Sequence, residues 1–466
     1  MIRNFLFLTT VLALAGCAAT PPPTLPPADV PPAFEQASAR NAPIWPASDW
    51  WTRYGDPQLA ALVEKAQAGN LDIVQAEARL RQADARARQA GAALLPTLGL
   101  NASVNSLYGQ TRGVSAHETD YSAGLGASYE LDFWGRNRDL ANAADAATAA
   151  SAADRRTVAL TVTGSVANAY FQLLSLRERI AVAQANLESS RAILKLVQRR
   201  VDAGYSAAAD ALQERANMAA QLAILPTLQQ QELETRDALA ILLGRPPEGF
   251  TVAGNDLGAL APPDVAPGVP SALLARRPDI AAAEANLAAA HANLEAARTA
   301  FLPNITLSAS GGLQYPALAA AIETLPGLGL GAGAAAALAQ VIFDGGKTRA
   351  ITDEARAHEE ELLAAYRAAV MNAFGDVENA LGNVGHLAAQ EAALRDQVAQ
   401  AEKVLGAARR KYVSGYSDFL TITDAERSLY TARDQLSDVR RARLAASVAL
   451  YKALGGGLAD AAKPNG

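Results

Sequence analysis

The side chains able to do chemistry are few in this sequence, and their spacing does not suit catalysis. Four histidines, His117, His291, His358 and His386, are scattered along the chain, and none stands at a metal-ligand spacing. His358 follows Glu354 by four residues, which on a helix places a carboxylate and an imidazole on one face; a solvated helix face is the simpler reading. Gly329-Leu330-Gly331-Ala332-Gly333 has the glycine density of a phosphate-binding turn, but no helix start with the right chemistry follows it. Arg440-Arg441-Ala442-Arg443 reads as a charged surface face. No nucleophile and base stand together in the sequence. The expectation is a chain with no metal, no nucleotide and no catalytic centre.

The residue with covalent chemistry of its own is Cys17, the single cysteine. Arg3 supplies a positive start, Phe5 to Ala15 a short apolar run, and Leu14-Ala15-Gly16 the small residues before the thiol. That order describes a secretory signal, and the run falls short of the roughly 20 apolar residues that span a bilayer. Leu14-Ala15-Gly16-Cys17 resembles the bacterial lipobox, in which cleavage makes the cysteine N-terminal and its thiol is acylated. A signal peptide over 1–16 follows, with a covalent lipid on Cys17 and no other cofactor. Ala18, rather than an aspartate, implies delivery to the outer membrane. A lipidated Cys17 leaves no thiol for a disulfide.

The formal net charge of −6 is mild and gives no basic footprint for nucleic acid. Abundant Ala, Leu, Gln, Arg and Glu suit long helices. Yet the mean hydropathy of +0.04 is high for a chain with 19% charged residues, so apolar surface must meet a core or lipid. Residues 17–55 read as a lipidated tether: Pro21-Pro22-Pro23, Pro26-Pro27 and Pro31-Pro32 favour extended polyproline, and Trp45, Trp50 and Trp51 dock it by ordinary packing.

The remainder is a tandem duplication. Asp72-Ile73 and Asp279-Ile280, and Leu95-Pro96 and Leu302-Pro303, each recur after about 207 residues. Phe133-Trp134-Gly135-Arg136 answers Phe343-Asp344-Gly345-Gly346-Lys347, Ala203-Gly204-Tyr205-Ser206 answers Ser414-Gly415-Tyr416-Ser417, and Leu242-Leu243-Gly244 answers Ala453-Leu454-Gly455. The copies span 56–243 and 273–455. A proline-rich equatorial linker, 244–272, joins them, and 456–466 is a tail.

Each copy repeats one order: a helix (70–93 or 278–300), two strands (about 97–108 and 119–134, or 303–315 and 328–343), then a long helix pair (136–203 with 207–243, or 345–413 with 418–453). The strands alternate. Leu98, Leu100, Ala102 and Val104 face away from Gly99, Asn101, Ser103 and Asn105; Tyr121 to Phe133 and Ile305 to Tyr315 do the same. The stretch 328–343 is mostly Gly and Ala, and its place in the repeat favours strand over buried helix. The long helices carry apolar residues at steps of three and four, from Val158 to Val201 and from Val370 to Tyr412, which is a coiled-coil seam. At 1.5 Å per residue they run about 100 Å. Pro226 is expected to interrupt and kink the first return helix.

Strands with one apolar face and one Ser/Gly/Asn/Thr face match a lipid-facing, water-filled barrel. Strands in lipid must close, because an open edge leaves backbone groups unsatisfied. Single-chain barrels need about eight strands, and this chain offers four, so several chains must share the barrel. The helices are too polar to span a membrane and must project from it as a coiled-coil tube. A soluble coiled-coil adaptor or structural lipoprotein remains an alternative, as does a surface lipoprotein hydrolase.

The order helix, two strands, long helix pair, duplicated, resembles the TolC-like outer membrane factors of tripartite efflux and type I secretion, the lipidated OprM-like and NodT-like proteins most of all. The stretch Lys411-Tyr412-Val413-Ser414-Gly415-Tyr416-Ser417-Asp418-Phe419-Leu420-Thr421-Ile422-Thr423-Asp424-Ala425-Glu426-Arg427-Ser428-Leu429 is similar to the family's periplasmic hairpin tip. Arg276-Arg277-Pro278-Asp279-Ile280, Ala300-Phe301-Leu302-Pro303 and Leu454-Gly455-Gly456-Gly457 also match. The resemblance implies an α+β membrane protein: a homotrimer with a twelve-stranded transmembrane β-barrel, four strands per chain, continued by a periplasmic coiled-coil α-barrel with a small equatorial domain. Strand count alone would also allow a dimer. The implied function is a passive exit duct set in outer-membrane lipid. Its implied partners are a periplasmic adaptor (membrane fusion) protein and an inner-membrane transporter of the RND type.

The same resemblance places a periplasmic gate at Leu420, Thr421, Asp424 and Arg427, with Gly204, Tyr205, Gly415, Tyr416 and Asp418 forming the hairpin tips where an adaptor docks. A symmetric ring of Asp424 would favour cations and resist anions. A local role is the rival reading, with Asp418 capping its helix and Asp424 paired to Arg427. Ala207-Ala208-Ala209 departs from the polar-aromatic pattern, which weakens the case for the first tip. The cargo is not legible, but with only Met1, Met218 and Met371 no methionine relay for soft metals is visible.

Overall fold

The structure is a computed structural model and describes residues 31–36, 45–111, 114–254, 256–265, 270–315 and 329–457. Cys17 and its signal segment lie outside the described residues. In chain order the elements are α1 (Pro57–Gly69), α2 (Leu71–Ala92), β1 (Thr97–Thr111), β2 (Val114–Glu130), α3 (Arg136–Asp202), α4 (Ala208–Leu242), α5 (Ser271–Leu274), α6 (Pro278–Thr299), β3 (Asn304–Tyr315), β4 (Gly329–Ala339), α7 (Lys347–Val413) and α8 (Phe419–Ala453). Contacts divide the chain into two units, one holding 79–152 and 282–367, the other 27–78, 153–281 and 368–466. No described helix is long and apolar enough to cross a membrane.

In the first unit the four strands form one antiparallel sheet in the order β1-β2-β3-β4. Leu98, Leu100 and Val104 stand opposite Ala127, Leu125 and Tyr121. Ala127 and Tyr129 stand opposite Ala309 and Leu307, and those two opposite Ala334 and Ala336. One face is therefore apolar from edge to edge. The other carries Asn101, Ser103, Ser122, Ser308 and Ser310, with the Ser103 and Ser122 hydroxyls 2.8 Å apart. At its centre Gly124 faces Gly312, where a Cβ on Gly312 would sit 2.7 Å from the Gly124 Cα.

Neither face is covered by the described residues. No described strand residue is buried, and Leu98 and Leu100 are 73% and 76% exposed. Among the described strands, β1 and β4 each have a neighbour on one side only. In water such a sheet has no core to hold it. In lipid its apolar face is solvated, but its open edges are not.

Each hairpin of strands ends at an aspartate that starts a long helix. Asp132 accepts the backbone N–H groups of Asn137 and Arg138, both at 2.9 Å. Asp344 accepts those of Gly346 (3.0 Å) and Thr348 (2.8 Å). These bonds end β2 and β4 earlier than the sequence predicts: β2 stops at Glu130 rather than 134, and β4 at Ala339 rather than 343, while the β1–β2 hairpin itself is longer, with β1 reaching Thr111 and β2 starting at Val114. A capping side chain needs a backbone that has left the extended strand path. Val341, Ile342 and Phe343 are consequently exposed residues beyond the sheet. Trp134 turns inward and donates from its indole to the Pro303 carbonyl at 2.8 Å.

The second unit has its own core. Trp50 stacks on Tyr451 with centroids 4.8 Å apart, and Tyr54 leans on Phe171. Tyr170 donates to Asp56 at 2.6 Å, while Asp56 also caps α1 through the Gln58 N–H. Linker residues Val252 and Leu257 enter this core, and Arg177 holds the linker by donating to the carbonyls of Val252 and Gly254. Trp45 lies under the Arg276 guanidinium at 4.5 Å.

α3 and α7 are 67 residues each. Val162, Val166, Leu173, Leu176, Val197, Val370, Val377, Leu405 and Tyr412 of the expected seam are buried. Pro226 does not interrupt α4, which runs unbroken from Ala208 to Leu242. Ile224, Leu225 and Leu228 around it pack against Leu176 and Ala183, and this packing outweighs the one missing N–H. The run Arg440 to Arg443 is not a simple surface face either. Arg443 donates to buried Glu391 at 2.7 Å, and Arg440 to Glu178 at 3.0 Å.

Candidate functional site

The two long helix pairs end in hairpin tips of the same construction. At the first, Gly204 has φ 75°, its N–H bonds the Val201 carbonyl at 3.0 Å, and the Tyr205 N–H bonds that of Arg200 at 2.8 Å. At the second, Gly415 has φ 83°, its N–H bonds the Tyr412 carbonyl at 3.0 Å, and the Tyr416 N–H bonds that of Lys411 at 2.9 Å. This pair of bonds around a left-handed residue is a Schellman stop, and it requires glycine there. Tyr205 and Tyr416 follow directly and stand exposed.

The return helices begin differently. Asp418 caps α8, accepting the N–H of Thr421 at 3.0 Å and its hydroxyl at 2.5 Å. Those donors hold the Asp418 carboxyl below the usual carboxylate range. At the first tip, Ala207 stands at the cap position of α4 and supplies no side-chain bond.

α8 then presents two faces. Phe419, Ile422, Ala425 and Leu429 are buried with Ile193, Val197, Leu405 and Ala408. Leu420, Thr421, Asp424 and Arg427 are exposed. Leu420, Asp424 and Arg427 fall at i, i+4 and i+7, one stripe of the helix. Among the described residues Asp424 has no ion pair with Arg427, so the local-pair alternative is not realised. The stripe carries a leucine, a carboxylate and a guanidinium on a surface that no described residue covers.

The tips of the two repeats are braced to each other. The Arg200 guanidinium lies over the Tyr412 ring, 4.5 Å from its centroid, and also donates to the Tyr412 carbonyl. The Tyr412 hydroxyl meets the Ser206 hydroxyl at 3.2 Å. Sequence reasoning passed over Arg200, and also Glu214, Arg409 and Glu426, which gather inside the same coiled coils. The signal for the two glutamates was present: Glu426 sits in phase with Ile422 and Leu429, and Glu214 in phase with Ala211, so each is a charge on an apolar seam.

His358 meets Glu361 rather than Glu354. Among the described residues no group of three histidine, cysteine or acidic side chains is placed to hold a metal ion.

The model of the family described as "Outer membrane efflux protein" matches residues 62–245 and 269–456, one block per repeat. The pyoverdine export outer membrane protein OpmQ of Pseudomonas putida is 41% identical over 465 residues, covering 98% of this chain and 97% of the relative. The cation efflux system protein CusC of Escherichia coli is 30% identical over 452 residues, covering 96% and 97%. The solved outer-membrane channel OprN superposes with a TM-score of 0.86 at 30% identity, covering 92% of this chain and 97% of that one. These matches favour the exit duct over the adaptor alternative, and the family they name is one of efflux proteins rather than of enzymes. A sheet that asks for lipid, a duplicated coiled-coil body and full-length likeness to efflux proteins agree: this chain belongs to the outer membrane efflux protein family and is an outer-membrane exit duct.

Proposed function

We propose that three copies of this chain close a twelve-stranded barrel and a continuous helical tube, which conducts cargo passively across the outer membrane with no covalent step. The observation that carries this reading is the sheet with two open edges and an uncovered apolar face. Cys17 bears the lipid that holds the tether to the membrane. A periplasmic adaptor engages the tips at Gly204, Tyr205, Gly415, Tyr416 and Asp418, and an RND-type inner-membrane transporter delivers the cargo.

The gate is the exposed stripe of α8. Brought together by symmetry, Leu420 narrows the pore, Asp424 sets a ring of like charge, and Arg427 and Thr421 flank it. Cargo of the kind named for the 41%-identical pyoverdine export protein suits the chain better than soft cations. Beyond the initiator, methionine occurs only at Met218 and Met371.

Two measurements test the proposal. Electron microscopy of detergent-extracted protein should show a hollow three-fold cylinder; a solid particle that stays soluble without detergent would end the barrel reading. In planar bilayers, Asp424→Ala should raise the closed-pore current and weaken its preference for cations. An unchanged current removes Asp424 from the gate.

A further inference from the structure

Inside the hairpins the interior is not wholly apolar. Glu426 of α8 is 4% exposed. Its carboxylate accepts from the Ser189 hydroxyl, from the Ser190 hydroxyl at 3.3 Å and from the Arg409 guanidinium of α7 at 3.2 Å. Glu214 of α4, 1% exposed, lies close enough to feel the Glu426 charge. Asn217 donates to one of its oxygens at 3.3 Å, while the other is buried without a partner. Gln221 donates to Ser190 at 3.0 Å. Arg409 keeps a buried Nε with no partner.

All four helices of the two hairpins thus meet at one polar node. α4 brings Glu214, α8 brings Glu426, α7 brings Arg409, and α3 brings the uncharged Ser189 and Ser190. Arg409 pairs with Glu426, and no described contact joins Glu214 to a guanidinium, so with both carboxylates ionised Glu214 holds an uncompensated buried negative charge, which is costly. Burial first, then the Glu426 charge, push the Glu214 carboxyl up to about 7, against the pull of its Asn217 donor.

We propose that Glu214, Glu426 and Arg409 form a proton-operated latch: a proton on Glu214 keeps the two hairpins packed and the tip closed, and its loss lets them part. This rests on the reading of the α8 stripe as the gate, because parting the hairpins moves that stripe. In the parted form Glu214 is solvated and regains an ordinary carboxylate affinity, so the closed form binds the proton more tightly. Closure is therefore favoured in the acid range and weakens as pH rises from the ordinary carboxylate range to about 7. Above that its penalty is constant.

The test is the open probability of the full-length trimer in planar bilayers between pH 5 and pH 8. Wild type should open about tenfold or more often at the alkaline end. Glu214→Gln, permanently neutral, should hold the low-pH value throughout. Glu426→Gln should move the wild-type midpoint to lower pH, because one source of the Glu214 shift is gone. A flat wild-type profile overturns the latch, with or without an assembled variant, and so does a Glu214→Gln profile that keeps the wild-type slope. Asp424→Ala separates the two readings. If it raises the current while the Glu214→Gln and wild-type slopes coincide, the gate stands and the latch fails. If it leaves the current unchanged while Glu214→Gln flattens the profile, the gate assignment is the one to abandon.

Discussion

The brace between the tips offers a sharp test of how the duct stays shut. Arg200→Ala removes a guanidinium that does two things for the second hairpin: it covers the face of Tyr412 at 4.5 Å and donates to that residue's carbonyl. A partly desolvated cation over an aromatic ring is worth about 0.5–2 kcal/mol. A hydrogen bond from a charged donor adds about 1.5–3 kcal/mol. Their overlap in one side chain puts the loss at about 2–4 kcal/mol, which shifts a closed-to-open equilibrium roughly 30- to 700-fold toward open. The assay is single-channel recording of the reconstituted trimer at fixed pH, read as open probability. Tyr412→Phe deletes only the hydroxyl that meets Ser206, keeps the ring and carbonyl, and should move the equilibrium far less. An Arg200→Ala trimer with wild-type open probability would show that the brace holds nothing the gate depends on.

Three further outcomes are expected. Asp418→Ala should free the Thr421 N–H and fray the start of α8, seen as faster amide exchange over Phe419 to Ile422. Because the Asp418 carboxyl is held below its usual range, that support should be intact above the ordinary carboxylate range and fade as pH falls through the lowered value. Gly312→Ala should force β2 and β3 apart, since its Cβ meets the Gly124 Cα at 2.7 Å, and gel migration of unheated samples should show fewer oligomers. Trp50→Ala should cost about 3–5 kcal/mol through the cavity left against Tyr451, lowering the thermal midpoint of the helical signal with little change in conductance of the surviving trimers.

Much of the architecture was legible because it rests on periods. Alternation places Leu98, Leu100 and Val104 on one face whatever their neighbours do, and steps of three and four carry the seam from Val158 to Val201 in the same way. The tip glycines were legible because a left-handed stop leaves a single-residue mark. What escaped was set by meetings across distant parts of the chain. Nothing near Arg200 announces Tyr412, and Glu391 drawing in Arg440 and Arg443 depends on how α7 and α8 pack. The end of β4 was misplaced because Val341-Ile342-Phe343 reads as strand in isolation, whereas the need for Asp344 to reach the first N–H groups of α7 turns the chain away. At Pro226 the helix continues for the same reason: its neighbours' packing outweighs a local preference.

The uncovered sheet also imposes an order on biogenesis. The helical unit buries a core of its own around Trp50, Tyr170 and Tyr451, so it has something to fold onto as soon as the chain is released. The strands do not. Until partners and lipid arrive, each chain carries two unpaired strand edges and a greasy face through an aqueous compartment, the conditions under which strands find wrong partners. Assembly should therefore be concentration-dependent and prone to precipitation when overproduced, with the coiled-coil bodies forming first and barrel closure last. A periplasmic chaperone that shields extended segments would act on the strands Thr97–Thr111, Val114–Glu130, Asn304–Tyr315 and Gly329–Ala339 and leave the helices alone.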